Sequence, residues 1–195
     1  MNYAQIEKFR EKLYFTVEDA AEISGVSRAS ARVMCSRYTA EGIFIRIKRN
    51  FYVLKDKLKG YERNDFMKLS NYLQPPSYIS LTTALMEWGV TSQVQVNIFE
   101  ACCIRRTKRI QTGDISFKYY KLAPEYYSAF IKKDGVFIAE KEKALLDSLY
   151  LYSFGKYSLD FAALEIGKFD IKRIKELESA YPGKTRKIIR KICGI

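Results

Sequence analysis

The chain has 195 residues, 48% of them hydrophobic and 29% charged, a balance that excludes intrinsic disorder and suits one generous globular domain or two small ones. Lys and Arg number 34 against 22 Asp and Glu, so the formal net charge of +12 favours a polyanionic partner, nucleic acid first and an anionic membrane surface second. No apolar run approaches the ~20 residues of a membrane-spanning helix, and the charged start MNYAQIEKFREKLYF lacks the apolar centre of a signal peptide, so no membrane partner and a cytoplasmic location are expected.

In chain order, the first predicted helix covers Asn2 to Lys12, with Tyr3, Ile6, Phe9 and Leu13 as its apolar stripe and Arg10 as the polar interruption. Thr16 is placed to cap a second helix, VEDAAEIS, whose acidic first turn suits the helix dipole. Gly25 tolerates the left-handed conformation that ends it, and Ser27 offers the next N-cap. Two helices joined by a tight glycine turn make a helix-turn-helix candidate.

In the third helix, Ser27 to Glu41, Ala31, Met34, Cys35 and Tyr38 share one face suited to packing, which leaves Arg28, Arg32, Ser36 and Arg37 outside it. After Gly42, alternation of Ile43, Ile45 and Ile47 with Phe44, Arg46 and Lys48 predicts a strand buried on its isoleucine side; Asn50 takes the turn, and Phe51 to Leu54 return. The expected result is a winged helix over residues 1–58, followed by a charged connector at 59–65.

From Phe66 a helix is expected to Leu73, then a Pro75-Pro76 break, then a helix from Ser80 or Thr82 to Gly89. Val94, Val96 and Ile98 alternate with glutamines and Asn97 as a strand; Arg105 to Ile110 pairs with Ile115 to Tyr120 across Thr112-Gly113-Asp114. GVFIA at 135–139 is strand-like and leads into the helix EKEKALLDSLYLY, with Ala144, Leu145, Ser148, Leu149 and Tyr152 inward. The remainder reads as helical, ending in KTRKIIRKI. The fold class is therefore α+β: an N-terminal winged helix-turn-helix, then residues 66–195 as a mixed α/β domain with a small antiparallel sheet and several helices.

A helix in the DNA major groove reads base edges with side chains near its N-terminus, and arginine matches the two acceptors of guanine. Candidate DNA contacts are therefore Ser27, Arg28, Ser30, Arg32, Ser36 and Arg37 on the helix, with Arg46, Lys48, Arg49 and Asn50 on the hairpin, where phosphates or a minor groove lie within reach. The alternative is a solvated basic face. Arg105, Arg106, Lys108 and Arg109 form a second basic cluster, a possible secondary DNA contact or partner surface. Lys184, Arg186, Lys187, Arg190 and Lys191 form a third, which Ile188, Ile189 and Ile192 mark as the wet side of an amphipathic helix.

Chemistry is sparse. Cys35, Cys102, Cys103 and Cys193 form no C-x-x-C pair and the chain has no His, so no metal site and no cofactor are expected; the cysteines read as small hydrophobes, with Cys102 and Cys103 on opposite faces of a strand. Nucleotide-binding glycine loops and nucleophile elbows are missing too. Glu140, Glu142 and Asp147 are read as dipole partners and one polar helix position rather than acid–base catalysts, so no enzyme is expected.

The winged helix followed by YISLTTAL, then VNIFEACCIRRTKRIQTGDISFKYYKL, then VFIAEKEKALLDSLYL resembles the AbiEi antitoxin family of AbiE-type (type IV) toxin–antitoxin and abortive-infection systems. Tyr78 to Leu81 with Ala84 and Leu85, the arginine-rich strand, and Glu142 to Asp147 carry the resemblance; Asn50 in place of a wing glycine and Lys141 in place of a helix-opening proline depart from it. The resemblance implies a DNA-binding antitoxin: the winged helix represses its own promoter at inverted repeats, and the C-terminal domain opposes a nucleotidyltransferase-like toxin without a stable complex. The residues themselves support the first half only. A stand-alone winged-helix transcriptional regulator with a ligand-sensing or dimerising C-terminal domain is the alternative, and an enzyme with an appended DNA-binding module ranks last.

Overall fold

Capping by short polar side chains decides where the N-terminal helices begin. The structure, a computed structural model, describes residues 2–195. Asn2 and Gln5 form a reciprocal capping box that starts α1 (Tyr3–Glu11), and Thr16 with Asp19 does the same for α2 (Val17–Ser24). Gly25, at φ 66°, closes α2 in the left-handed conformation, and the Ser27 hydroxyl accepts from the Ser30 amide at 3.2 Å to open α3 (Arg28–Ala40). Ala31, Cys35 and Tyr38 are buried and Met34 is half-buried, the stripe that the spacing predicts.

That stripe closes on an aromatic centre. Phe9, Phe15 and Phe44 pack with ring centroids 4.6–5.2 Å apart, and Tyr38 stands edge-on to Phe44 at 5.3 Å. The wing consists of β1 (Phe44–Lys48) and β2 (Phe51–Leu54), antiparallel, with a bulge between Arg46 and Lys48. Phe15 exchanges both backbone hydrogen bonds with Tyr52 at 2.9 Å, which ties the α1–α2 connection to the wing.

Two expectations fail here. In β1 the buried residues are Phe44 and Ile47, while Ile43 and Ile45 are half-buried: the ring of Phe44 completes the aromatic centre, and the bulge re-aims the strand beyond Arg46. Tyr3, placed on the apolar stripe of α1, is exposed; Phe9 is the buried member of that helix.

Asp19 also links local capping to stability. Burial raises its carboxyl pKa, yet the Lys12 ammonium at 2.7 Å and the Thr16 hydroxyl and amide outweigh burial and hold it below the usual carboxylate range. A depressed folded-state pKa gives stability that is present above the unfolded value of ~4 and is lost as pH falls through the folded value. Acid unfolding of the first unit should therefore be shallower in Asp19→Asn than in the wild type below pH ~4. Identical pH profiles by circular dichroism would remove Asp19 from the account.

The chain forms two compact units, one reaching Leu69 and one spanning Ser70–Ile195. After α4 (Lys55–Leu58), α5 (Arg63–Leu73) starts ahead of its expected position at Phe66 and runs through the boundary, so the expected connector 59–65 belongs to the first unit. In the second unit follow β3 (Ser77–Ile79), α6 (Leu81–Glu87), β4 (Ile98–Cys103), β5 (Lys108–Thr112), β6 (Ile115–Lys121), β7 (Phe130–Lys133), β8 (Val136–Ala139), α7 (Lys141–Ser153), α8 (Ile171–Glu178) and α9 (Gly183–Cys193).

The molecule is α+β, and its second sheet is larger than the small antiparallel one expected. Six strands run in the order β5-β6-β4-β3-β8-β7; β3/β8 and β4/β6 are parallel, the other neighbours antiparallel. Cys102 and Cys103 lie in β4, buried on both faces of the sheet, and all four cysteines are free. The β7–β8 turn at Asp134 and Gly135 has positive φ at both positions, the conformation that an Asp-Gly pair favours.

Residues 93–97 form no strand: Val94 and Val96 are each 74% exposed, and the glutamines turn inward instead. Buried Glu100 explains the inversion. Its carboxylate takes hydrogen bonds from Tyr157 at 2.7 Å and Gln95 at 3.3 Å, and Thr82 and Thr83 engage Gln93 and Gln95. Tyr152 is a second reversal, exposed on α7 where it was expected inward, whereas Ala144, Leu145, Ser148 and Leu149 are buried.

Candidate nucleic-acid interface

The outward face of α3 and the wing enclose a groove of about 670 Å³ whose lining includes Arg28, Arg32, Ser36, Arg46, Arg49 and Asn50. Helix geometry explains the grouping: with Ala31, Cys35 and Tyr38 turned to the core, Arg28, Arg32 and Ser36 follow at i, i+4 and i+8 along one flank. The antiparallel hairpin then brings Arg46 and Arg49 to the opposite wall. Arg32, Arg46 and Arg49 are exposed and form no ion pair among the described residues, so their guanidinium donors are available to an anionic ligand.

Arg28 differs. It pairs with Glu18 at 2.6 Å, and Glu18 in turn accepts from the Asn50 amide at 2.8 Å. The Asn50 hydrogen bond, the backbone amide of Glu18 and the Arg28 charge hold the Glu18 carboxyl below its ordinary range. Asn50 also accepts the Val17 amide at 2.8 Å, satisfying an orphan donor of the first turn of α2. Its side chain is thus committed to joining the wing tip to α2 and the start of α3, a structural use that its reading as a DNA contact omitted.

At φ 57° Asn50 occupies the left-handed region. Asn50→Gly keeps that conformation but loses the acceptor, so it should speed hydrogen exchange of the Val17 amide at a cost of about 1 kcal/mol. Asn50→Ala should cost more, because it adds backbone strain. Unchanged Val17 exchange in both variants would show that this hydrogen bond is dispensable.

The remaining candidates separate. Ser27 and Ser30 are bound to each other at 3.0 Å and serve the cap, exposed at the start of α3. Ser30 and Arg37 line a shallower depression of about 390 Å³ with Val26, Val33 and Met34, on the other flank of the helix. Arg37 lies over the Tyr38 ring at 4.9 Å and faces Glu41 at 3.7 Å. Lys48 is half-buried with its ammonium 5.3 Å from the Phe51 ring centroid, not among the residues that line the groove.

Two residues escaped the sequence reading. Ala29 and Val33 are exposed on the side of α3 opposite the core stripe, Val33 by 70%. The available signal was an aliphatic pair at i, i+4 on a face otherwise occupied by Arg and Ser.

Arg105, Arg106, Lys108 and Arg109 belong to the second unit. The first two occupy the loop before β5, and Arg109 on β5 donates to Ser116 at 3.0 Å and Gln111 at 2.9 Å. In the third cluster Arg190 bridges to Glu178 at 2.8 Å while Ile189 is buried. No group of three or more His, Cys, Asp or Glu suited to a metal ion occurs among the described residues.

The carboxylates weighed for chemistry are all engaged. Glu140 pairs with Arg173 at 2.9 Å, Glu142 accepts the Asp170 amide at 2.9 Å, and Asp147 is fully buried in contact with Lys143, Tyr78, Ser80 and Tyr181. Asp147 is therefore more than the single polar position expected: it is the centre of a buried ionic network.

The RV2827C protein from Mycobacterium tuberculosis, known from a crystal structure, shares this fold at a TM-score of 0.63, with 10% identity over 97% of this chain and 74% of that one. No curated protein sequence matches the chain. Residues 5–55, which carry α1 to α3 and the wing, match the family described as "Transcriptional regulator, AbiEi antitoxin". The winged helix of this chain is thus similar to the transcriptional regulators that the AbiEi antitoxin family describes.

Proposed function

We propose that the chain is a non-enzymatic DNA-binding autorepressor that binds inverted repeats in its own promoter, and that it acts in the cytoplasm as the antitoxin of a toxin–antitoxin, abortive-infection pair. The observation that carries the DNA half is the groove between α3 and the wing, where Arg28, Arg32, Arg46 and Arg49 gather four guanidinium groups that suit phosphates and base edges. The family of residues 5–55 supports the regulatory and antitoxin role. Among the described residues no helix is long and apolar enough to cross a membrane. A nucleotidyltransferase-like toxin, opposed without a stable complex, is the functional partner in this reading.

Fluorescence anisotropy on the DNA upstream of its own gene, against a scrambled duplex at stepped salt, tests the reading. The expected result is a preference for the promoter that persists at physiological salt. Equal and steeply salt-dependent binding to both duplexes would reduce the +12 charge to general adhesion.

Val33 extends the reading to sequence choice. An exposed valine amid arginines suits the methyl group of a thymine, the apolar feature of the major groove. Replacing thymines of the bound site by uracil, one at a time, should weaken wild-type binding at one or more positions while leaving Val33→Ala indifferent there. Equal losses in both proteins would remove Val33 from base readout.

A further inference from the structure

The second unit contains a cavity of about 380 Å³, within the range of small-molecule sites, lined by aromatic and proline side chains. Tyr127 and Phe130 lie 5.1 Å apart with their planes at 62°, and Phe130 and Phe137 lie 6.3 Å apart at 84°, so adjoining rings of the lining meet at steep angles. Tyr72 and Phe137 are 50% and 42% exposed at this cavity, large aromatic surfaces left in water in a unit that buries most others.

The polar groups of the cavity are mainly donors. Asn71 commits its side chain to the scaffold, donating to the carbonyls of Ser77 and Phe137 and accepting the Phe137 amide. Ser77 also lines the cavity, and its buried hydroxyl has no hydrogen-bond partner among the described residues. The Tyr127 phenol forms no hydrogen bond among them either, and burial pushes its pKa up to about 12, which keeps its proton in place at neutral pH. Lys132 is the charged residue of the lining, its ammonium 5.8 Å from the Phe137 ring centroid.

Flat apolar walls, free hydroxyls and one cation at the rim define a complementary ligand. We propose that this cavity binds a planar aromatic carboxylate, its ring against Tyr127, Phe130 and Phe137 and its carboxylate at Lys132. Such a site adds a small-molecule input to the second unit and is independent of the DNA-binding reading of the first.

Isothermal titration calorimetry of the full chain with 1-naphthoate, and with 1-naphthalenemethanol as the neutral molecule of the same ring, tests it. Both should bind saturably with one molecule per chain, the acid about fivefold more tightly. Lys132→Gln should abolish that preference and leave the alcohol unchanged. Tyr72→Ala should weaken both by about threefold or more. Lys132 and Tyr72 are exposed, and an unchanged melting temperature confirms the fold of each variant. Absence of saturable heat from either compound at millimolar concentration, equal affinity for acid and alcohol, or binding untouched by both substitutions would overturn the proposal.

Discussion

Asp147→Ala is expected to destabilise the second unit by about 3–5 kcal/mol, the range for breaking a buried ion pair from one side. Asp147 is fully buried and Lys143 is 1% exposed. One carboxylate oxygen takes the Lys143 ammonium and the Tyr181 hydroxyl at 3.3 Å; the other takes the hydroxyls of Tyr78 at 2.9 Å and Ser80 at 2.8 Å. Burial, followed by the negative charge of Asp147, raises both tyrosine pKa values well above the ordinary range, so the phenols remain donors. Alanine at 147 would strand a lysine charge and three hydroxyl donors in the interior.

The comparison that isolates this cause is Lys143→Met with Asp147→Leu. Removing both charges in favour of apolar side chains should recover much of the stability, because the desolvation penalty disappears with the pair. Urea unfolding of the wild type, the single variant and the double variant decides the matter. A single variant within about 1 kcal/mol of the wild type would show that the network is not a keystone of this unit.

The second large effect concerns DNA. Arg28→Ala and Arg32→Ala should each weaken specific binding by about 1–3 kcal/mol where the arginine reads a guanine, and their combination should approach the sum if they act independently. Arg32 has no ion pair among the described residues, whereas Arg28 must leave Glu18 to donate both arms to a base. Glu18→Gln should therefore tighten binding, by relieving repulsion from phosphate and releasing Arg28. An arginine that contacts phosphate would instead weaken all sequences uniformly and lower the salt slope by about 1. Unchanged affinity in both alanine variants would move the recognition surface away from this flank of α3.

The winged helix was legible in the sequence because its signals are local. Thr16, Gly25 and Ser27 act on backbone groups within a turn, and the Ala31, Met34, Cys35, Tyr38 stripe needs only the helical period. The outward placement of Arg28, Arg32, Ser36 and Arg37 followed from the same logic, whereas the fold decided that the first three share a groove with Arg46 and Arg49 and that Arg37 and Lys48 do not line it. The strand at GVFIA was legible too, yet β7 and its Asp134-Gly135 turn were missed because β7 is exposed beyond Phe130 and shows no apolar alternation.

Tertiary structure decided whatever depends on distant partners. β3 has three residues, too few for a period, and becomes a central strand only through β4 and β8 on either side. Asn50 serves Val17 and Glu18 across 33 and 32 residues, and Asp147 meets Tyr78 and Ser80 across 69 and 67. Gln93 and Gln95 point inward because Glu100, Thr82 and Thr83 wait there, against the hydropathy of Val94 and Val96. Hydropathy and capping are properties of a side chain and its immediate neighbours, so the sequence alone determined the first three helices, the presence of the hairpin after them and the outward placement of the α3 arginines. The satisfaction of buried polar groups is a property of the assembled interior, and only the fold supplied those partners.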